Sequence, residues 1–170
     1  MDGIHYEELR RPGHGETLAL ADGVTWLRMP LPFSLDHINL YLLRDTGGWV
    51  IVDTGLDTNT TRGVWRRVFA EGMNNDPATH VVVTHLHPDH AGCANFLVAE
   101  FDADLWMTRQ EYFLCRVLIA DTGTDAPREG ERFYRAAGFT DEQIELYKEN
   151  FGMFGKFVKG MPQSLSLIHI

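Results

Sequence analysis

Apolar and polar positions alternate with the period of strands in the first third of the chain. Strands are predicted over residues 24–29, 38–43 and 49–52, where β-rich or alternating patterns lie between turn-forming glycines and prolines. Residues 60–71 instead carry apolar side chains at helical spacing, which predicts an amphipathic helix. The chain therefore opens with strands and then begins to alternate between strand and helix.

The same alternation continues after this helix. Residues 81–83 form a short apolar run, which predicts a strand covered on both faces. A largely buried helix is predicted over residues 92–101 and another short strand over 104–107. Strands that alternate with helices predict an α/β fold, in which helices pack on a sheet.

From residue 108 onward the pattern is helical. Thr108 with Glu111, and Thr140 with Gln143, fit the capping box that opens many helices. They predict helices that begin near Arg109 and Asp141, and a third helix is predicted over residues 131–137.

Length, hydrophobic content and net charge exclude several classes of function. The chain has 170 residues and 44% hydrophobic residues, enough for the core of one domain. Its formal net charge of −9, without a basic run, argues against partners such as nucleic acids or anionic membranes, which require clustered Lys and Arg. The beginning of the chain lacks the apolar stretch of a signal peptide, and no stretch is long enough to span a membrane. A cytoplasmic protein with a small-molecule substrate is expected, and Cys93, in an apolar segment, is predicted to be a buried thiol.

The chemistry concentrates in residues 84–92, which read Thr-His-Leu-His-Pro-Asp-His-Ala-Gly. His85 follows the predicted strand 81–83 directly, so it should lie at the carboxyl end of that strand, where α/β sheets bind ligands. Imidazole nitrogens and carboxylate oxygens are ligands of Zn²⁺. Because one residue separates His85 from His87, both rings can point to the same side of an extended loop.

The second part of this motif predicts a second metal ion. Pro88 is expected to block early helix formation and keep the loop open. Asp89 and His90 are adjacent and should point in divergent directions, which suits an ion beside the first one. The alternative is a solvent-exposed histidine-rich turn that binds no metal.

The pattern His-x-His-x-Asp-His after a buried strand resembles the signature of the metallo-β-lactamase superfamily. Val52-Asp53-Thr54-Gly55 resembles the earlier aspartate motif of that family, and the resemblance covers roughly residues 20–107. It implies the N-terminal half of a four-layer αβ/βα sandwich, followed here by a helical excursion after residue 108.

The resemblance also implies roles for the motif residues. His85 and His87 would bind a first zinc ion, and Asp89 and His90 a second one. Asp53 would steady the histidine loop from behind the ligands; its alternative is an ordinary turn aspartate before Gly55. A metal-bound water would be the nucleophile, and Asp89 would also orient this water, which gives it a catalytic role.

Within the superfamily, the details favour a hydrolase. The oxygen-reducing diiron relatives tend to carry glutamate at the position of His87, and the acidic charge disfavours the nuclease branches. The segments Asp36-His37-Ile38-Asn39 and Val52-Asp53-Thr54-Gly55 are most similar to glyoxalase II-like hydrolases, which cleave thioesters. A lactonase or β-lactamase-like hydrolase is an alternative. A different class of function is a truncated, non-catalytic domain that binds metal or a partner.

Three further ligands of the family pattern are expected after residue 90, and the one later histidine is His169, which is not assigned as a ligand. We therefore expect a partial domain with weak activity on its own and the capacity to form a homodimer. Residues 1–107 would form the metal-site half, 108–160 a helical segment and 161–170 a candidate non-native tail.

Other segments have open interpretations. Residues 29–33 are interpreted either as a flap over the metal edge or as an ordinary connection between strands. The helical segment is either an apolar lid for an acyl chain or a region of core packing or dimer contact. The remaining histidines lack ligand spacing and are interpreted as structural or surface residues, namely His5, His14, His37 and His80.

Overall fold

A mixed sheet of six strands organises the protein. The structure, a computed structural model, describes residues 10–165, and their strands pair in the order of the chain. The first four strands pair antiparallel with one another, whereas the fourth, fifth and sixth strands run parallel to one another. The strands are β1 (Thr17–Ala21), β2 (Val24–Pro30), β3 (His37–Asp45), β4 (Gly48–Val52), β5 (Ala78–Val82) and β6 (Asp104–Trp106).

Helices follow β4 and every later strand, as the alternation predicts. The helices that begin at Arg109 and Asp141 confirm both positions predicted from the capping residues. The first helix continues into a single π-helical turn at Val68–Gly72. The helices are α1 (Asn59–Arg67), α2 (Pro88–Ala91), α3 (Ala94–Phe101), α4 (Arg109–Ala120), α5 (Arg128–Ala136) and α6 (Asp141–Asn150).

The hydrophobic core lies between one face of the sheet and the helices that connect its strands. Alternate residues of β2 and β3 and further residues of β4 to β6 are buried there, and Trp65 of α1 and Leu97 of α3 are completely buried against them. The indole N–H of Trp65 donates to the carbonyl oxygen of Thr54 at 2.7 Å, which fixes α1 to the end of β4. The buried apolar strand residues are Leu27, Met29, Ile38, Leu40, Leu42, Ile51, Ala78, Val81 and Leu105.

The opposite face of the sheet is only half-buried. Strand register places Trp26 opposite Tyr41, Tyr41 opposite Val52, Val52 opposite Val82, and Val82 opposite Trp106. These side chains form a continuous apolar row with partial solvent exposure. The prediction that residues 81–83 are covered on both faces is therefore wrong for the described residues, because the helices cover one face only.

Pro88 does not keep the histidine loop open. It is the first residue of α2, where proline is favoured because the missing N–H has no intrahelical partner and the fixed φ suits a helix. The helix predicted over residues 92–101 corresponds to α3, whereas the short helix α2 before it and strand β1 were not predicted. Among the described helices, none has the length and apolarity to cross a bilayer.

Candidate metal centre

Two adjacent parallel strands bring the motif residues to one edge of the sheet. Val52 of β4 lies opposite Val82 of β5, and the backbone N–H of Asp53 donates to the carbonyl oxygen of Val82 at 2.8 Å. Asp53 and Thr84 therefore lie side by side where the two strands end. The common sheet edge predicted for Asp53 and His85 is present.

Asp53 is a buried carboxylate that is held on several sides. It accepts hydrogen bonds from the Thr84 backbone N–H at 2.8 Å, from the Thr84 hydroxyl at 2.8 Å and from His90 Nδ1 at 2.8 Å. Its φ of +60° lies in the left-handed region, which non-glycine residues seldom adopt. Burial alone would raise the pKa of Asp53, but the hydrogen bonds from His90 and Thr84 outweigh it and lower the pKa below its ordinary value.

The hydrogen bond to Asp53 decides which nitrogen His90 offers to a ligand. Because Nδ1 points at Asp53, Nε2 is the free nitrogen, and it lies 3.6 Å from a carboxylate oxygen of Asp89. Asp89 and His90 were expected to diverge, yet their polar atoms converge. Consecutive positions in the helical turn of α2 are separated by roughly 100° rather than by the half-turn of a strand. Burial works against a charge on His90, but Asp53 outweighs it and raises the pKa of His90 above its ordinary value.

His85 and His87 present a pair of nitrogens with the spacing of metal ligands. Nε2 of His85 and Nδ1 of His87 lie 3.0 Å apart. Two nitrogens on one tetrahedral zinc ion are separated by about 3.3 Å, given Zn–N distances of about 2.05 Å. The other nitrogen of His85 lies 3.0 Å from the Thr84 hydroxyl, which orients the ring. The two rings do not point apart, so this donor pair fits one ion.

The motif residues form two pairs rather than one closed group. Across residues 10–165, a set of three residues whose ligand atoms all lie within 4.8 Å of one another is found only at His14, Asp36 and His37. His85 with His87, and Asp89 with His90, could therefore each provide two ligands to a separate ion. The metal roles of these four residues stay predictions.

The cluster of His14, Asp36 and His37 was not predicted, because its members lack sequence spacing. His37 Nδ1 lies 2.5 Å from Asp36, and His14 Nε2 lies 3.4 Å from the other oxygen of that carboxylate. The Arg28 guanidinium, 3.5 Å from Asp36, already balances its charge, so the group is an ion-pair network as it stands. His37 begins β3 beside the carboxyl end of β2. His5 and His169 lie outside the described residues.

Backbone contacts tie the histidine loop to the end of β4. The buried Thr54 hydroxyl donates to the carbonyl oxygen of His90 at 2.6 Å and accepts from the Cys93 backbone N–H at 3.0 Å. A Cβ atom on Gly92 would lie 2.5 Å from the carbonyl oxygen of Pro88 and 2.6 Å from that of Gly55, so only glycine fits. The sequence analysis missed the roles of Thr54 and Thr84, although each lies next to a motif residue that it did identify.

The structure describes both segments with open interpretations. Met29 and Leu31 are buried in the core, which favours an ordinary connection, whereas Phe33 is 50% exposed and its ring centroid lies 5.9 Å from that of Phe157. In the helical segment, a mainly apolar cavity of about 450 Å³ lies between α4 and α6. Its lining includes Leu118, Phe139, Leu146, Phe151, Met153 and Phe154.

Comparisons with known proteins identify a family and several similar proteins. The family model described as Metallo-beta-lactamase superfamily matches residues 34–117. A Beta-lactamase-like protein 2 homolog from Caenorhabditis elegans is 35% identical over 75 residues, which is 43% of this chain and 25% of that protein.

Solved structures are also similar. A beta-lactamase domain protein from Burkholderia ambifaria has 34% identity and a TM-score of 0.72, covering 94% of this chain and 44% of its own. A metallo-beta-lactamase family protein from Thermus thermophilus has 27% identity and a TM-score of 0.56, covering 88% of this chain and 47% of its own. The chain thus spans less than half the length of each of these relatives.

Proposed function

We propose that this chain, whose residues 34–117 belong to the metallo-β-lactamase superfamily, forms the N-terminal metal-binding half of a zinc-dependent hydrolase. Its substrate would be a small acyl compound, with a thioester as the first candidate. The observation that carries the proposal is the 3.0 Å spacing between His85 Nε2 and His87 Nδ1 at the carboxyl end of β5.

Each motif residue has a task in this proposal. His85 and His87 would hold one ion, and Asp89 and His90 would contribute two ligands to a second ion. Zinc at such a site would supply a Lewis acid and make hydroxide available near neutral pH. Asp53 keeps His90 oriented through the hydrogen bond to Nδ1. The Asp89 carboxylate would accept a hydrogen bond from the nucleophilic water and orient it.

The substrate class follows from charge and donor type. Histidine at position 87 fits the hydrolases of the superfamily that this chain resembles better than its diiron members, which tend to carry glutamate there. The net charge of −9 disfavours polyanionic substrates such as nucleic acids. A lactone or a β-lactam could be attacked by the same groups, so these are the alternative substrates.

Metal binding is tested first on the 170-residue chain. Zinc titration by calorimetry should give measurable binding, and His87→Ala should abolish most of it because a ligand is lost. His80→Ala is the matched control, since the His80 ring packs against Trp106 with a centroid distance of 4.3 Å, away from the motif. Equal zinc affinity in His87→Ala and the unaltered chain would refute the metal site.

Hydrolysis is tested on the longer protein that the proposal implies, with thioesters, lactones and β-lactams as substrates. Removal of zinc by a chelator should stop turnover, and zinc should restore it. The proposal would be overturned if the chelator left the hydrolysis of thioesters, lactones and β-lactams unchanged. The 170-residue chain alone should turn over slowly, because each ion would have two motif ligands, whereas catalytic zinc sites normally hold three protein ligands.

A non-catalytic metal-binding or partner-binding domain is the second candidate. The half-exposed apolar face of the sheet favours it, because such a face is a surface for association. This candidate predicts zinc binding without turnover in the longer protein as well, which separates it from the hydrolase.

A further inference from the structure

Helix α4 holds both backbone polar groups of Leu86, the residue between the two paired histidines. The Leu86 N–H donates to the Glu111 carboxylate at 2.7 Å, and the Cys115 thiol donates to the Leu86 carbonyl oxygen at 3.9 Å. Glu111 and Cys115 are four residues apart, so they lie on the same face of α4. The hydrogen bond to the charged Glu111 carboxylate is short and strong, whereas the hydrogen bond from the Cys115 thiol is weak.

The capping-box pattern of α4 is only half formed, and this difference identifies the role of Glu111. The Thr108 side chain accepts from the Glu111 backbone N–H at 3.3 Å, as in a capping box. In α6 the reciprocal bond is also present, with the Thr140 backbone N–H donating to Gln143 at 2.9 Å. The Glu111 carboxylate instead leaves its own helix and binds the metal-site loop.

The Cys115 thiol is suited to donate. It is completely buried, and burial raises its pKa to about 11, with the nearby Glu111 charge adding to the effect. The sulfur therefore keeps its proton at neutral pH. Its weak bond completes the hold of α4 on Leu86 but contributes less than the carboxylate.

We propose that Glu111 is a positioning residue that fixes Leu86 and thereby the spacing between His85 Nε2 and His87 Nδ1. The inference rests on the proposed metal site. A loop that is held at the ligand spacing before the ion binds loses less conformational entropy on binding. The same bond anchors α4, and with it the helical segment after residue 108, to the metal edge.

The experiment uses the 170-residue chain and two readouts. Hydrogen exchange of the Leu86 amide, measured by NMR without metal, reports the clamp itself. Calorimetry with Zn²⁺ reports its effect on the site. Glu111→Ala should accelerate Leu86 exchange and weaken zinc binding by about 10- to 100-fold, the usual loss when a group that orients metal ligands is removed.

Two variants separate positioning from general structure. Glu111→Gln keeps an oxygen acceptor for the Leu86 N–H, so it should restore most of the protection and affinity. Gln143→Ala alters the same capping position of α6 without a contact to the loop, and both readouts should stay unchanged. If Glu111→Ala does not fold, the near-isosteric Glu111→Met removes the acceptor while it preserves packing.

The outcomes are distinguishable. The proposal is overturned if Glu111→Ala, or Glu111→Met in its place, leaves Leu86 exchange and zinc affinity as in the unaltered chain. It is also overturned if Gln143→Ala weakens zinc binding and Leu86 protection equally. If the unaltered chain binds no zinc while Leu86 exchange still depends on Glu111, the metal site fails and the proposal falls with it, although the contact exists. If zinc binds equally with and without Glu111, the metal site stands and the positioning role is lost.

Discussion

Asp53 combines a costly backbone conformation with a dense set of hydrogen bonds. It holds a φ of +60° and accepts from both Thr84 and His90. A left-handed residue costs roughly 1–2 kcal/mol unless its side chain compensates, and here the carboxylate does so by joining two strand ends. The conformation is therefore tied to the task of orienting His90.

Substitution of Asp53 should separate these two contributions. Asp53→Ala should lower the free energy of unfolding by about 3 kcal/mol, because the Thr84 N–H and the His90 ring lose their acceptor. Asp53→Asn should lower the free energy of unfolding by about half as much, since asparagine tolerates this φ and its side-chain oxygen can still accept a hydrogen bond. Urea denaturation of the metal-free chain measures both values.

Asp102→Ala is the control for the backbone term. Asp102 also has a positive φ, +53°, but is exposed at the end of α3. Asp102→Ala should lower the free energy of unfolding by only about 1 kcal/mol. An Asp53→Ala loss no larger than that of Asp102→Ala would contradict the hydrogen-bonding role.

The two cysteines should be inert in the native protein. Cys93 is completely buried, as predicted from its apolar segment, and burial raises its pKa to about 12. A raised thiol pKa reduces the reactive thiolate, so at pH 8 about one Cys93 thiol in 10⁴ is ionised. Ellman's reagent should label Cys93 and Cys115 rapidly in urea and only slowly without it, whereas fast labelling of native protein would contradict their burial.

At the scale of elements, the junction of β4, α2 and α3 determines where Asp89 and His90 lie. Pro88 opens α2 directly after His87, so Asp89 and His90 sit in a helical turn whose backbone rests against the end of β4. The backbone N–H of Cys93 donates to the carbonyl oxygen of Gly55 at 2.9 Å, which also joins the start of α3 to the end of β4. This close approach requires a residue without a side chain at Gly92.

Gly92→Ala should therefore be severe. Its Cβ would overlap backbone atoms of Pro88, Gly55 and Asp57, which cannot move independently of the sheet edge. We expect a loss of more than about 2 kcal/mol in unfolding free energy, comparable to overpacking of a tight core, together with weaker zinc binding.

Gly63→Ala in α1 is the matched control. A Cβ there meets no atom within 4 Å, and alanine favours helix, so stability should rise by about 0.5–1 kcal/mol. Thermal unfolding followed by circular dichroism measures both variants. Equal effects of the two substitutions would contradict the packing described at Gly92.

At the scale of the whole molecule, the two faces of the sheet differ. The helix-covered face is buried, whereas the other face exposes apolar side chains that include Tyr41, 37% exposed, and Leu43, 36% exposed. In a four-layer sandwich a second sheet lies against this face. The four-layer architecture implied by the family is thus consistent with the side chains that β2 to β6 present.

The 170-residue chain should associate with itself through this face. Leu43→Lys should shift sedimentation velocity profiles toward monomer, because it places a charge on this exposed apolar face. Leu146→Lys, at a residue of α6 that is 58% exposed, should leave association unchanged. A monomer at all concentrations, or equal effects of both substitutions, would contradict association through the sheet.

The sequence by itself determined what depends on neighbours along the chain. The starts of α4 and α6, the strands β2 to β6 and the burial of Cys93 all follow from patterns within a few residues. The histidine and aspartate motif was also identified from local spacing, because its members fall within six positions. Short-range hydrogen bonds and hydrophobic periodicity are encoded locally, so local patterns reveal them.

The tertiary structure decided which distant groups meet. Asp53 finds Thr84 and His90 across 31 and 37 positions of the chain, and Glu111 leaves its capping box to bind Leu86 across 25 positions. A sequence pattern does not show whether a side chain bonds to its own helix or to a distant residue. Strand register and helix packing decide which of the two partners lies within hydrogen-bond distance. The spacing of the His85 and His87 nitrogens, the row of half-buried residues on the sheet and the turn begun by Pro88 depend on the same packing.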